Sequence, residues 1–173
     1  SAIPTSAVEF HVSFPAAVEA GEVDGRVLLL ISTSDKSEPR FQVRPGVNAI
    51  QVFGKNVEGL RPGSAVRIDD RVLGYPIRSL VNLRPGEYHV QAVLHRYETF
   101  ERADGHTIKA HMDQWEGQQW NRSPGNLYSQ VQQVHVDPAS GDTIAIELSE
   151  RMPPIEPPED TPYVKHIKFR SDI

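Results

Sequence analysis

Apolar and polar residues alternate along much of the chain, with the two-residue period of strands that bury one face. Val8, Phe10, Val12 and Phe14 take turns with Glu9, His11 and Ser13 before Pro15 closes the run. Tyr88, Val90, Ala92 and Leu94 do the same around His89, Gln91 and Val93, and Ile144, Ile146 and Leu148 around Ala145 and Glu147. Val131 is followed by Val134 and Val136 across an irregularity. The stretch 26–33 is almost continuously apolar through Val27-Leu28-Leu29-Leu30-Ile31, which predicts a central strand. Shorter candidates lie at 48–54 and 65–69. No window repeats apolar residues at i, i+3, i+4 and i+7 between helix caps. Seven or more short strands without a helix predict an all-β sandwich or barrel.

Fourteen prolines and twelve glycines punctuate these runs. Arg-Pro-Gly occurs at 44–46, 61–63 and 84–86; the spacings and flanks differ, so this is turn chemistry and not a repeat. The third copy opens a strong strand with Tyr88 two residues on. A tyrosine there either returns its hydroxyl to nearby backbone, as in the tyrosine corner of Greek-key sandwiches, or is an ordinary core ring. Asp104-Gly105 between 97–102 and 107–112 is a two-residue hairpin signal, with flanks too charged to pack fully. From 113 to 128 the chain is polar and aromatic, a long ordered excursion. The expected fold is a two-sheet immunoglobulin-like β-sandwich with a protruding hairpin and long loop between Tyr97 and Tyr128.

Met152 to Pro162 holds five prolines in eleven residues and should be extended and semi-rigid. Residues 1–150 are therefore expected to form the sandwich. Residues 151–173 would be a Pro-rich linker and the start of a downstream region, with Val164, Ile167 and Phe169 its apolar positions.

At 173 residues, 38% hydrophobic and 24% charged, the chain suits one folded domain. A net charge of −5 gives no basic footprint, so nucleic acid is not an expected partner. No apolar run approaches the ~18 residues of a membrane-spanning helix, and no membrane partner is expected. The absence of cysteine excludes disulfides and thiolate chemistry. The first residues do not read as a basic-then-apolar signal peptide.

The chemistry that sequence can signal is sparse. There is no Gly-x-Ser-x-Gly elbow, no phosphate loop, no Rossmann glycine pattern and no His-Glu-x-x-His; neither a catalytic residue nor a cofactor is expected. His106, His111 and Asp113 lie on or near the hairpin, after His89 and His95. They are metal candidates only on paper. On a strand His111 and Asp113 share a face and His106 does not, whereas a zinc site needs three or four converging ligands. Trp115, Trp120 and Tyr128 could form an aromatic platform for a polysaccharide. Equally, the tryptophans could cover the end of the sandwich as a satellite core.

From about Leu80 onward the chain resembles the N-terminal β-sandwich region that precedes the catalytic domain in a group of bacterial esterases of α/β-hydrolase fold. The resemblance rests on Ser79-Leu80-Val81-Asn82-Leu83-Arg84-Pro85-Gly86-Glu87-Tyr88-His89-Val90-Gln91-Ala92, then Gly125-Asn126-Leu127-Tyr128-Ser129, then the Pro-rich segment 152–158. Together these cover about half of the chain, and nothing before Arg26 contributes. The resemblance implies a periplasmic or extracellular hydrolase whose catalytic domain follows, with this domain as its non-catalytic accessory and that domain as its partner. None of the family's catalytic residues falls in this chain. Two other readings stand beside it: a carbohydrate-binding module, and a small hydrolase with an unfamiliar catalytic set.

Overall fold

A computed structural model describes residues 7–111, 119–167 and 169. In chain order the strands are β1 (Glu9–Ser13), β2 (Val23–Ser32), β3 (Gln51–Leu60), β4 (Val66–Ile68), β5 (Gly74–Tyr75) and β6 (Gly86–Arg96). They continue as β7 (Glu98–Glu101), β8 (Thr107–Ala110), β9 (Leu127–Tyr128), β10 (Gln132–Val136), β11 (Thr143–Glu147) and β12 (Glu150–Arg151). The only helical pieces among the described residues are 3-10 turns at Pro39–Phe41 and Leu80–Asn82.

Two sheets face each other, so the chain is an all-β sandwich as its pattern predicts. The smaller sheet runs β11-β1-β4, with β1 parallel to β11 and antiparallel to β4. The larger runs β12-β9-β6-β2-β3-β5, with β10 also on β6. The alternating residues meet between them: Phe10 and Val12 of β1 and Ile146 of β11 share one core with Val27, Leu29 and Ile31 of β2 and Val90 and Leu94 of β6. The apolar run of β2 is explained by its other face. There Leu30 joins Val93 and Met152 in a second, smaller core, so the strand is covered on both sides.

The tyrosine corner is present: the Tyr88 hydroxyl donates to the Arg84 carbonyl at 2.7 Å. Of the three Arg-Pro-Gly turns, Gly46 and Gly63 have positive φ (104° and 77°), the conformation in which glycine carries no Cβ penalty. Gly86 instead already belongs to β6.

The charged hairpin is a separate two-stranded sheet, β7 with β8. Its turn is longer than the Asp-Gly pair suggests. The Arg102 N–H donates to the His106 carbonyl and the Gly105 N–H to the Arg102 carbonyl, with Gly105 at φ 81°. That is a three-residue loop ending in a left-handed glycine.

A bulge in β2 between Val23 and Gly25 anchors this hairpin. A β-carbon at Gly25 would stand 2.1 Å from the His95 carbonyl oxygen, so only glycine lets β2 and β6 close there. The bulge frees Asp24, whose backbone carbonyl accepts from Tyr97 N–H. Its carboxylate accepts from Gly59 N–H at 2.7 Å and pairs with Lys109 of β8 at 2.9 Å.

Backbone pairing continues to the start of the Pro-rich segment. β12 pairs with β9, and Met152 is buried, its N–H donating to the Asn126 carbonyl at 2.8 Å. Residues 153–167 are exposed.

Candidate functional site

Of the described residues singled out for chemistry, Trp120 and Tyr128 lie on the outer face of the large sheet and His106 and His111 at its hairpin. Leu28, Leu30 and Val93 make that face apolar, and Trp120 and Tyr128, both half-buried, pack on it with Met152. One ring of the proposed platform, Trp115, lies outside the described residues. Tyr128 has a guanidinium on its ring: Arg40 lies 4.1 Å from its centroid and 4.4 Å from that of Phe41. Such cation–π contacts are worth ~0.5–2 kcal/mol.

Arg40 is fixed by a polar network that the sequence did not signal. Its Nε pairs with Glu38 at 2.7 Å, and its Nη1 donates to the Asn121 carbonyl at 3.2 Å. Gln91, buried on β6, accepts from the Arg40 N–H and donates to Glu38 and to the Ser129 carbonyl. Burial alone would push the Glu38 carboxyl up, but the Arg40 and Gln91 hydrogen bonds prevail and hold it below its ordinary value. The network ties the loop after β2, the loop before β9 and the sheet into one unit.

Beside it, two buried side chains stand in for missing ladder partners at either end of β9. Asn126 Oδ1 accepts from the Arg96 N–H at 2.9 Å, and its Nδ2 donates to the Trp120 carbonyl at 2.8 Å. Ser129 Oγ accepts from the Ala92 N–H at 3.0 Å. Both belong to the stretch Gly125-Asn126-Leu127-Tyr128-Ser129. Here that stretch is the splice that adds β9 to the sheet.

Among the described residues the histidines join no group of three metal-ligating side chains. His106 is exposed at the hairpin turn, 3.3 Å from Asp104. His111 is half-buried against His95, with ring centroids 4.5 Å apart. Asp113 lies outside the described residues, among which no three His, Cys, Asp or Glu side chains converge.

His111 makes a different contact of chemical interest: its Nε2 is 2.5 Å from Ser123 Oγ, and its Nδ1 is 3.4 Å from the Arg96 carbonyl. A base on a serine is half of a nucleophilic site. Ser123, however, has no exposed surface. The adjoining hollow of about 190 Å³, lined by His111 and Glu98 among others, is smaller than the ~300–1,000 Å³ of most ligand sites.

A third cluster pins the point where the chain leaves the sandwich. Arg96 and Arg151 each reach Glu19 Oε2 at 2.9 Å, and Arg151 also donates to the Val18 carbonyl. The Gly21 N–H hydrogen bond is the largest influence on the Glu19 carboxyl and lowers it. Burial works against this, and Arg151 and Arg96 reinforce it.

Compared with known proteins, the chain matches no family model, no curated protein and no solved structure.

Proposed function

We propose that this chain is a non-catalytic accessory domain of a secreted esterase-type hydrolase, where it docks on or shapes an α/β-hydrolase catalytic domain. The observation that carries the reading is the apolar character of the exposed segment beyond Met152. Ile155, Tyr163, Val164, Ile167 and Phe169 keep between 44% and 96% of their surface in solvent. Burying a large apolar side chain is worth ~1.5–3 kcal/mol, so these side chains gain most from a partner surface. The segment also departs from a fixed point: β12, the buried Met152 and the Glu19–Arg151 pair hold its base to the sandwich.

The buried Ser123 supports the non-catalytic half of the proposal, since acyl transfer needs a nucleophile that a substrate carbonyl can approach. The hydrolase half leans on the resemblance from Leu80 onward. Reading the coding sequence around these 173 residues tests it. An in-frame α/β-hydrolase domain with a Gly-x-Ser-x-Gly elbow is the expected result; a frame without any hydrolase domain would overturn the proposal.

A further inference from the structure

An open hollow of about 690 Å³, a volume typical of small-molecule sites, lies beside the start of β6. It lies between the loop after β2, the start of β3 and segment 76–84. Strand β6 begins beside it at Gly86 and ends at Arg96, where Asn126 binds the strand end and takes the Met152 N–H.

Two glutamines fix the walls of the hollow. Gln51, nearly buried in its wall, clasps Ile77 with its carboxamide, accepting from the N–H and donating to the carbonyl, both at 2.8 Å. Gln42 is likewise held, by Ser32 Oγ at 2.6 Å. With these groups committed, Ile50, Ile77 and Leu83 supply apolar surface to the lining. Four other lining side chains, Thr33, Asn48, Asn82 and Arg84, are exposed, and none hydrogen-bonds to another described group. Arg84 is the only charged side chain among the described lining residues, and no carboxylate faces it there.

These groups specify a ligand. A lone guanidinium offers a planar fork that matches one carboxylate. Amides and a hydroxyl both donate and accept, which suits alcohols. A net charge of −5 works against polyanions. We infer that the hollow binds a small hydroxylated carboxylate of the uronic acid type. Its carboxylate lies on Arg84, its hydroxyls on Asn48, Asn82 and Thr33, and its ring C–H face on Ile50 and Ile77. This does not rest on the accessory-domain reading, which concerns the exposed segment beyond Met152.

The test is amide-resolved NMR titration of the whole chain with D-glucuronate, D-glucose and cyclohexanecarboxylate. Glucuronate should give saturable shifts at Asn48, Asn82 and their neighbours, at least tenfold tighter than either control. Arg84→Gln should weaken it at least tenfold without unfolding the chain, because the tyrosine corner uses only the Arg84 backbone carbonyl. Asn82→Ala, also exposed, should weaken it severalfold. No saturable shift with glucuronate, shifts centred elsewhere, or binding indifferent to Arg84→Gln would overturn the inference. Equal binding of glucose would remove the carboxylate from it, and equal binding of cyclohexanecarboxylate would remove the hydroxyls.

Discussion

Asn126 has no exposed surface, yet it joins three segments: Arg96 at the end of β6, Trp120 in the preceding loop, and Met152. Removing its carboxamide strands a backbone donor and a backbone acceptor together. Unsatisfied buried groups cost ~1–3 kcal/mol each, so Asn126→Ala should lower stability by about 2–4 kcal/mol in denaturant unfolding. Tyr88→Phe removes one hydrogen bond to a part-buried carbonyl and should cost about 1–2 kcal/mol; a neutral result would reduce Tyr88 to an ordinary core ring. Glu19 adds a pH dependence of known sign. Its folded carboxyl titrates below its ordinary value near 4.5, held there by the Gly21 N–H and, against burial, by Arg151 and Arg96. The stabilisation is therefore complete above that ordinary value and fades as pH falls through the lower folded one. Unfolding free energy followed downward from about pH 5 should fall less steeply in Glu19→Gln than in the parent chain. Parallel acid limbs would mean the cluster contributes nothing.

Among the elements, the strands with clean alternation were legible from the chain alone, because a one-sided core forces a period of two. The pattern of β1, β10 and β11 is that of their burial. β6 alternates in sequence but is buried on both faces from Val90 to Leu94, because the Glu38–Arg40 network takes up Gln91 and the second core takes up Val93. The apolar run of β2 marks a strand covered on both faces. What stayed hidden was held by polar groups, which have no period. β3 runs six residues beyond Gly54, through Lys55, Asn56 and Glu58 to Leu60, because it is the edge of the sheet along that half and keeps its polar residues in water. β9 and β12 have two residues each and exist through Asn126, Ser129 and Met152. The Arg40–Glu38–Gln91 network joins residues 53 positions apart, a separation no local pattern reports. Trp120 could be read from sequence as a platform or as packing; its place against Leu30, Val93 and Met152 gives a definite expectation. Trp120→Ala should cost about 3 kcal/mol of stability and leave retention on immobilised polysaccharide unchanged. Lost retention at unchanged stability would restore the platform.

At the scale of the whole molecule, a sandwich closed by β12 and Met152 carries an open hollow beside the start of β6 and an exposed apolar tail beyond Met152. Deleting residues 163–173 should barely move the denaturant midpoint, whereas a chain ending at Ser149 should lose several kcal/mol with β12 and the Met152 side chain. On the proposed function this domain has no turnover of its own, and ester hydrolysis by the isolated chain is the decisive assay. Serine–histidine sites are defined by geometry and not by sequence order, so the Ser123–His111 pair is the place to look. The purified chain should hydrolyse activated esters no faster folded than heat-unfolded, and Ser123→Ala and His111→Ala should leave that background unchanged. Turnover that requires the fold, survives repurification and disappears in Ser123→Ala would contradict the account.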